Sequence, residues 1–176
     1  MADVVVRSTQ PALAAIKLAW WRERLEELDE GKVPAEPRLE RANQELLSRG
    51  LTGKMLAGLE DGWAALLEPE PDVRRAQERG ARLFAMGARL LGVNKGSIDN
   101  EGRLFAQMDL SRRGIALIDN PQDALVLGLT PRRARPMTAF AALAKRDVRQ
   151  GGPPFEAEAT PGRAWTLLRH RITGRY

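Results

Sequence analysis

The sequence predicts an all-α fold, and three observations carry it. Apolar residues recur at spacings of three and four through successive stretches, glycine or proline closes most of them, and no stretch alternates as a strand should. At 176 residues the chain fits one domain. The expected organisation is a flexible amino-terminal arm at 1–10 and a single helical domain at 11–176, its last helices following a Gly/Pro break at 151–154.

Pro11 suits a first helical turn, and Leu18, Trp21, Leu25 and Leu28 then form one stripe with Leu13, Ile16 and Trp20 as a second beside it. A helix apolar on two faces is expected to be central, with Trp20 and Trp21 in the core. Gly31 closes it; a second helix over 36–48 carries Leu39, Ala42 and Leu46 and stops at Gly50. Thr52 reads as the N-cap of a third helix through Met55, Leu59, Trp63 and Leu66, ended by the EPEP segment. The fourth has the cleanest register, Val73, Ala76, Gly80, Leu83, Gly87 and Leu90, ending at Gly92. Each interior glycine costs about 1 kcal/mol against alanine. Gly80 and Gly87 are therefore expected to admit a neighbouring helix or a ligand tail. Ser97, with Asp99 and Glu101 behind it, reads as the cap of a fifth helix to Arg113. After an irregular stretch at 114–135, helices are expected over 136–149, through Met137, Phe140, Ala144 and Val148, and from Pro161 to Ile172. Val4–Val6 is the one segment expected to extend along a neighbour.

The chain has 43% apolar and 29% charged residues, so it is not a disordered composition. It has no cysteine, which excludes disulfides, thiolate nucleophiles and cysteine metal sites. Residues 7–25 are amphipathic and contain arginine, but Asp3 and the apolar run Ile16–Trp21 favour a mature core helix over a presequence. The net charge of +5 is uneven: from Pro131 onward ten Lys/Arg face only Asp147, Glu156 and Glu158. Such an end should meet phosphates, nucleic acid or acidic lipid headgroups. The basic surface is expected at Arg132, Arg133, Arg135, Arg169 and Arg171, joined by Lys145, Arg146, Arg149 and Arg175 if the last helices pack side by side.

Self-sufficient chemistry is hard to assemble from the remaining residues. His170, the lone histidine, lies between Arg169 and Arg171 and reads as a solvated or capping group. No G-x-S-x-G elbow, P-loop or G-x-G-x-x-G is present. Glu23, Glu26, Glu27 and Glu30 share a helix face with Arg22 and Arg24 nearby and read as solvated surface. Asp119 and Asp123 have metal-clamp spacing, but Asn120-Pro121 between them marks a turn. Asp109, on the apolar line of the fifth helix, pairs locally with Arg112 or Arg113 or joins a buried charged cluster with them.

Two blocks bring a family into view. Ile16-Lys17-Leu18-Ala19-Trp20-Trp21-Arg22-Glu23 resembles the paired Trp-Trp-Arg helix of squalene and phytoene synthases, and the turn and helix through Gly62-Trp63 resemble bacterial members. The segments Glu78–Phe84 and Asp109-Leu110-Ser111-Arg112-Arg113 resemble the family's inner helices, and Leu168-Arg169-His170-Arg171 the tail of some short members. The resemblance implies an isoprenoid-synthase-like helical bundle, truncated at its amino end. Family enzymes join two prenyl diphosphates head to head, with magnesium held by two aspartate-rich motifs against the charge that diphosphate ionisation develops. The first motif would lie upstream of the Trp-Trp-Arg helix, where only Asp3 stands. In the second, Asn-x-x-Arg-Asp, Arg112 matches, Asp109 replaces the asparagine and Arg113 reverses the sign of the metal-binding aspartate.

The resemblance therefore implies a non-catalytic relative, without catalytic or metal-binding residues and without a cofactor. It is expected to bind a polyprenyl or phospholipid group through Trp21, Arg22, Gly80, Asp109, Arg112 and Arg113, or to meet a protein partner at a membrane surface. The family includes proteins that assist assembly of respiratory complex I. A cytoplasmic protein peripheral to the inner face of a membrane is expected, or one of the mitochondrial matrix if eukaryotic. The second reading is one subunit of a heteromeric prenyltransferase, its magnesium held by aspartate motifs on another chain. A basic nucleic-acid-binding module is the weaker third, since only Phe155, Trp165 and Tyr176 supply stacking near the cations.

Overall fold

The computed structural model describes residues 1–93, 98–115 and 128–176. It is all-α, with no strand among these residues. Its helices are α1 (Ala2–Val6), α2 (Pro11–Glu27), α3 (Pro37–Glu45), α4 (Gly53–Ala57), α5 (Glu60–Ala64), α6 (Val73–Leu90), α7 (Asp99–Arg112), α8 (Arg135–Arg149) and α9 (Pro161–Thr173). Ser97, Asp119 and Asp123 lie outside the described residues. The chain gathers into two compact units, Met1–Arg79 and Gly80–Tyr176, a division that the sequence reading of one helical domain does not contain.

In the first unit, Leu25 and Leu28 form a buried cluster with Leu39 and Ala57, and half-buried Trp21 packs against it. Gly31 and Gly50 stop their helices as expected, each in the left-handed region, at φ 76° and 89°, where a Cβ would be strained. Thr52 caps α4 by accepting from the Met55 amide at 3.1 Å. Asp29 supplies a cap that sequence spacing does not show: its carboxylate accepts from the Gly53 and Lys54 amides at 2.6 and 2.9 Å.

Several expectations change in this unit. The helix expected from Thr52 to Leu66 is two short ones, α4 and α5. Residues 2–6 are helical, so the stretch is not extended at Val4–Val6, and Met1 packs on the Leu25–Leu28–Leu39 cluster. The second stripe of α2 is not core: Leu13, Ile16 and Trp20 are all exposed. The unit's apolar cluster lies on the Leu18–Leu25 side alone, and Trp20 only leans edge-on against Trp21, ring centroids 5.2 Å apart.

In the second unit, Phe84, Ala88, Ile98, Ala134 and Ala141 form one buried cluster, and Leu104, Met108 and Ala144 another. Gly80 meets a neighbouring helix: a Cβ there would stand 2.0 Å from the Gly102 carbonyl oxygen, and one on Gly102 2.3 Å from that of Gly80. The two backbones touch, so the close approach that two glycines permit is filled by protein. Gly87 packs instead on Met137. The boundaries of α8 and α9 match the expected segments, with Thr160 accepting from the Arg163 amide at the start of α9. The buried face of α8 differs from its apolar register, because Thr138, Lys145 and Asp147 point inward while Phe140 is exposed.

Candidate functional site

Three polar constellations form where α7, α8 and α9 pack, and an apolar strip lies on the outer side of α9. The first centres on Asp147, which is 2% exposed. Arg112 approaches it bidentately, Nε to Oδ2 at 2.6 Å and Nη2 to Oδ1 at 2.7 Å, and Arg163 adds a third bond at 2.8 Å. Both guanidiniums also donate to Glu158, at 2.9 and 3.0 Å, and Arg112 to the Glu156 carbonyl. Hydrogen bonding to Asp147 raises the Arg112 pKa above its ordinary value. These bonds staple α7, α8, the 151–160 loop and α9 together, which is a structural task.

The second constellation joins the loop to α8. Arg146 donates to Glu156 at 2.7 Å and Thr160 adds a further bond. Arg146 beside it holds the Glu156 carboxyl down to about 2.

The third surrounds His170, which is 1% exposed rather than solvated. Its Nε2 lies 2.9 Å from the Thr138 hydroxyl and its Nδ1 3.1 Å from the Arg175 carbonyl. Tyr176 packs on the ring at 4.8 Å, accepts from Thr130 at 2.6 Å and donates to Glu101 at 3.0 Å. Lys145 lies over the other ring, 5.6 Å from the Tyr176 centroid. Burial lowers the His170 pKa and raises that of Tyr176. Sequence adjacency to Arg169 and Arg171 misleads here, since successive helical residues diverge by about 100° and both arginines point outward.

The direction of the His170 shift fixes a pH response. The unfolded chain takes up the proton near the ordinary value of 6.5, whereas the folded protein takes it up only at lower pH. The contribution of the neutral, buried ring is therefore complete above about 6.5 and is lost as pH falls below it. Urea unfolding at pH 7.5 and 5.5 should show the native protein losing more stability than His170→Gln; equal losses would remove His170 as the cause.

The apolar strip lies on the opposite side of α9. Its inner face is polar, through Arg163 and His170, while Trp165, Leu168 and Ile172 point outward at 65%, 46% and 67% exposure. Arg149, Arg169 and Arg175 lie beside Trp165 in a pocket between α8 and α9, with Arg146, Thr166 and Gln150 also on its walls.

The expected site residues divide between the units. Trp21 is half-buried in its apolar cluster, and exposed Arg22 stands 3.8 Å from Glu60. Gly80 is a helix crossing. Asp109 accepts from Arg113 at 2.8 Å, the local pair, while Arg112 is committed to Asp147. Arg112, the last residue of α7, and Arg113, its C-cap, thus already hold carboxylates. Of the basic surface, Arg132, Arg133, Arg169 and Arg171 are exposed, but Arg135 donates to the Arg171 and Ile172 carbonyls at 3.0 and 2.7 Å and caps α9 instead. The last two helices do pack side by side. Lys145 is buried against Tyr176 and Arg146 is paired, so neither is a free surface cation.

Among the described residues no helix is long and apolar enough to cross a membrane, and no group of three or more His, Asp or Glu converges as a metal-ligand set. Comparisons with protein-family models, with curated proteins and with solved structures find no match to this chain.

Proposed function

We propose that this chain is a non-catalytic, squalene/phytoene-synthase-like helical protein that binds lipid at an anionic membrane surface. The observation that carries the reading is the outward strip of Trp165, Leu168 and Ile172 on α9, flanked by exposed Arg169, Arg171 and Arg175. An interfacial helix combines these parts: an aromatic and aliphatic face that enters the headgroup boundary, and cations that meet anionic lipid. Each basic residue near such a surface contributes on the order of 1 kcal/mol. The non-catalytic character rests on the resemblance, in which Arg113 stands where the family holds a metal-binding aspartate. Trp165 among arginines also suits base stacking, but the adjoining Leu168 and Ile172 favour lipid.

Co-sedimentation with phosphatidylcholine vesicles containing phosphatidylglycerol tests the reading. The protein should pellet with anionic vesicles, less so as salt rises, and Leu168→Gln with Ile172→Gln should weaken binding at least tenfold without loss of fold, since both side chains are exposed. A protein that stays in the supernatant at every lipid charge overturns the proposal. So does head-to-head product formed from farnesyl diphosphate and magnesium by this chain alone.

A second reading is favoured by a different observation, the exposed stripe of Leu13, Ile16 and Trp20 on α2. It offers an apolar face to another chain, as a heteromeric prenyltransferase with aspartate motifs on its second subunit requires. Turnover that appears only when a second chain is added selects this reading.

A further inference from the structure

The pocket between α8 and α9 has an electrostatic character that the lipid reading does not need. Its nine lining residues include Arg146, Arg149, Arg169 and Arg175 and no Asp or Glu side chain. Arg146 is neutralised by Glu156, but Arg149, Arg169 and Arg175 form no ion pair with a described residue. Elsewhere in the second unit Arg112, Arg113 and Arg163 each hold a carboxylate, while exposed Arg132, Arg133 and Arg171, like the pocket arginines, pair with none among the described residues; the pocket differs from these in gathering three such guanidiniums on one wall. The pocket encloses about 180 Å³, room for about six waters at roughly 30 Å³ each. That volume accepts a tetrahedral oxyanion and the first atoms attached to it, and the Gln150 amide adds a neutral donor on the same wall.

We infer that this pocket binds the phosphate group of a phosphomonoester or of free phosphate, with guanidiniums in place of a metal ion. Arginine forks match phosphate oxygens in geometry as well as charge. Three guanidiniums that hold no ion pair among the described residues favour a group carrying about −1.5 to −2 at pH 7, as a phosphomonoester does, over the single charge of a phosphodiester. The concentration of positive charge is felt by its neighbour: Lys145 has its pKa lowered, first by burial and then by Arg149. Trp165 lies on both the pocket wall and the apolar strip, so a lipid whose headgroup entered the pocket would lay its hydrocarbon along Leu168 and Ile172. This lipid source rests on the membrane reading above; free phosphate does not.

The test uses the full chain and the double variant Arg149→Gln/Arg169→Gln, both of whose sites are exposed. Titration calorimetry with inorganic phosphate, against chloride at equal ionic strength, is one arm. The other compares vesicles containing phosphatidate with vesicles containing phosphatidylglycerol at matched surface charge. Saturable phosphate binding that weakens at least tenfold in the variant supports the pocket. A preference for phosphatidate that the variant abolishes supports it too and identifies the lipid source. Phosphate binding without vesicle binding keeps the pocket and overturns the membrane reading. Vesicle binding with neither phosphate binding nor phosphatidate preference overturns the pocket and leaves the membrane reading intact, and an unchanged variant in both arms also overturns it.

Discussion

Asp147→Ala should lower the free energy of unfolding by about 3–5 kcal/mol, the loss expected when one partner of a buried ionic cluster is removed. The substitution deletes three charge-assisted bonds, at 2.6, 2.7 and 2.8 Å, and leaves the guanidiniums of Arg112 and Arg163 facing each other with only the more exposed Glu158 to share. Urea denaturation followed by circular dichroism measures it. The triple change Arg112→Met/Asp147→Leu/Arg163→Met should recover most of the loss, because apolar groups of similar volume carry no desolvation penalty. A loss below about 1 kcal/mol for Asp147→Ala would mean that the cluster does not hold α7, α8 and α9 together.

Gly80→Ala should destabilise by about 1–3 kcal/mol although alanine is the better helix former by about 1 kcal/mol. Its Cβ would stand 2.0 Å from the Gly102 carbonyl oxygen and 2.6 Å from the Ala106 Cβ, neither of which can yield without moving α7. Gly87→Ala on the same helix is the control. There the nearest atom is the Met137 sulfur at 3.0 Å, the middle of a flexible side chain, so the propensity gain should leave stability unchanged or improved. Thermal unfolding of the two variants reads the contrast directly, and equal midpoints would show that the helix crossing at Gly80 is looser than described.

Helices with clean periodicity were legible. Residues 73–90 follow the three-and-four register of Val73, Ala76, Gly80, Leu83, Gly87 and Leu90, and Thr52, Gly31 and Gly50 end or begin helices as their chemistry requires. The buried faces were legible only in part. Leu13, Ile16 and Trp20 satisfy helical periodicity as well as Leu18 and Leu25 do, yet they are exposed, since periodicity identifies an apolar face without saying what covers it. Asp147 and His170 escaped for a different reason. Their partners lie far along the chain, with Arg112 35 residues from Asp147 and Thr138 32 residues from His170, and local spacing carries no signal of such pairings. In the sequence Asp147 is one of three acids in a basic segment, and nothing local marks it as the centre of that segment's packing.

The polarity of α9 makes its orientation a matter of matching rather than of greasiness. A roll of half a turn would hide Trp165, Leu168 and Ile172 and gain the roughly 25 cal/mol per Å² that burial provides. It would also strand Arg163 and His170, each of which now meets partners at fixed angles. Apolar contacts tolerate rotation, whereas directed bonds do not, so the inner face acts as an index that holds the apolar edge outward. The chain thus keeps a sticky surface on display by locking the far side of the same helix, and replacing those two residues with leucine would leave a helix with two equivalent faces and no preferred way to lie.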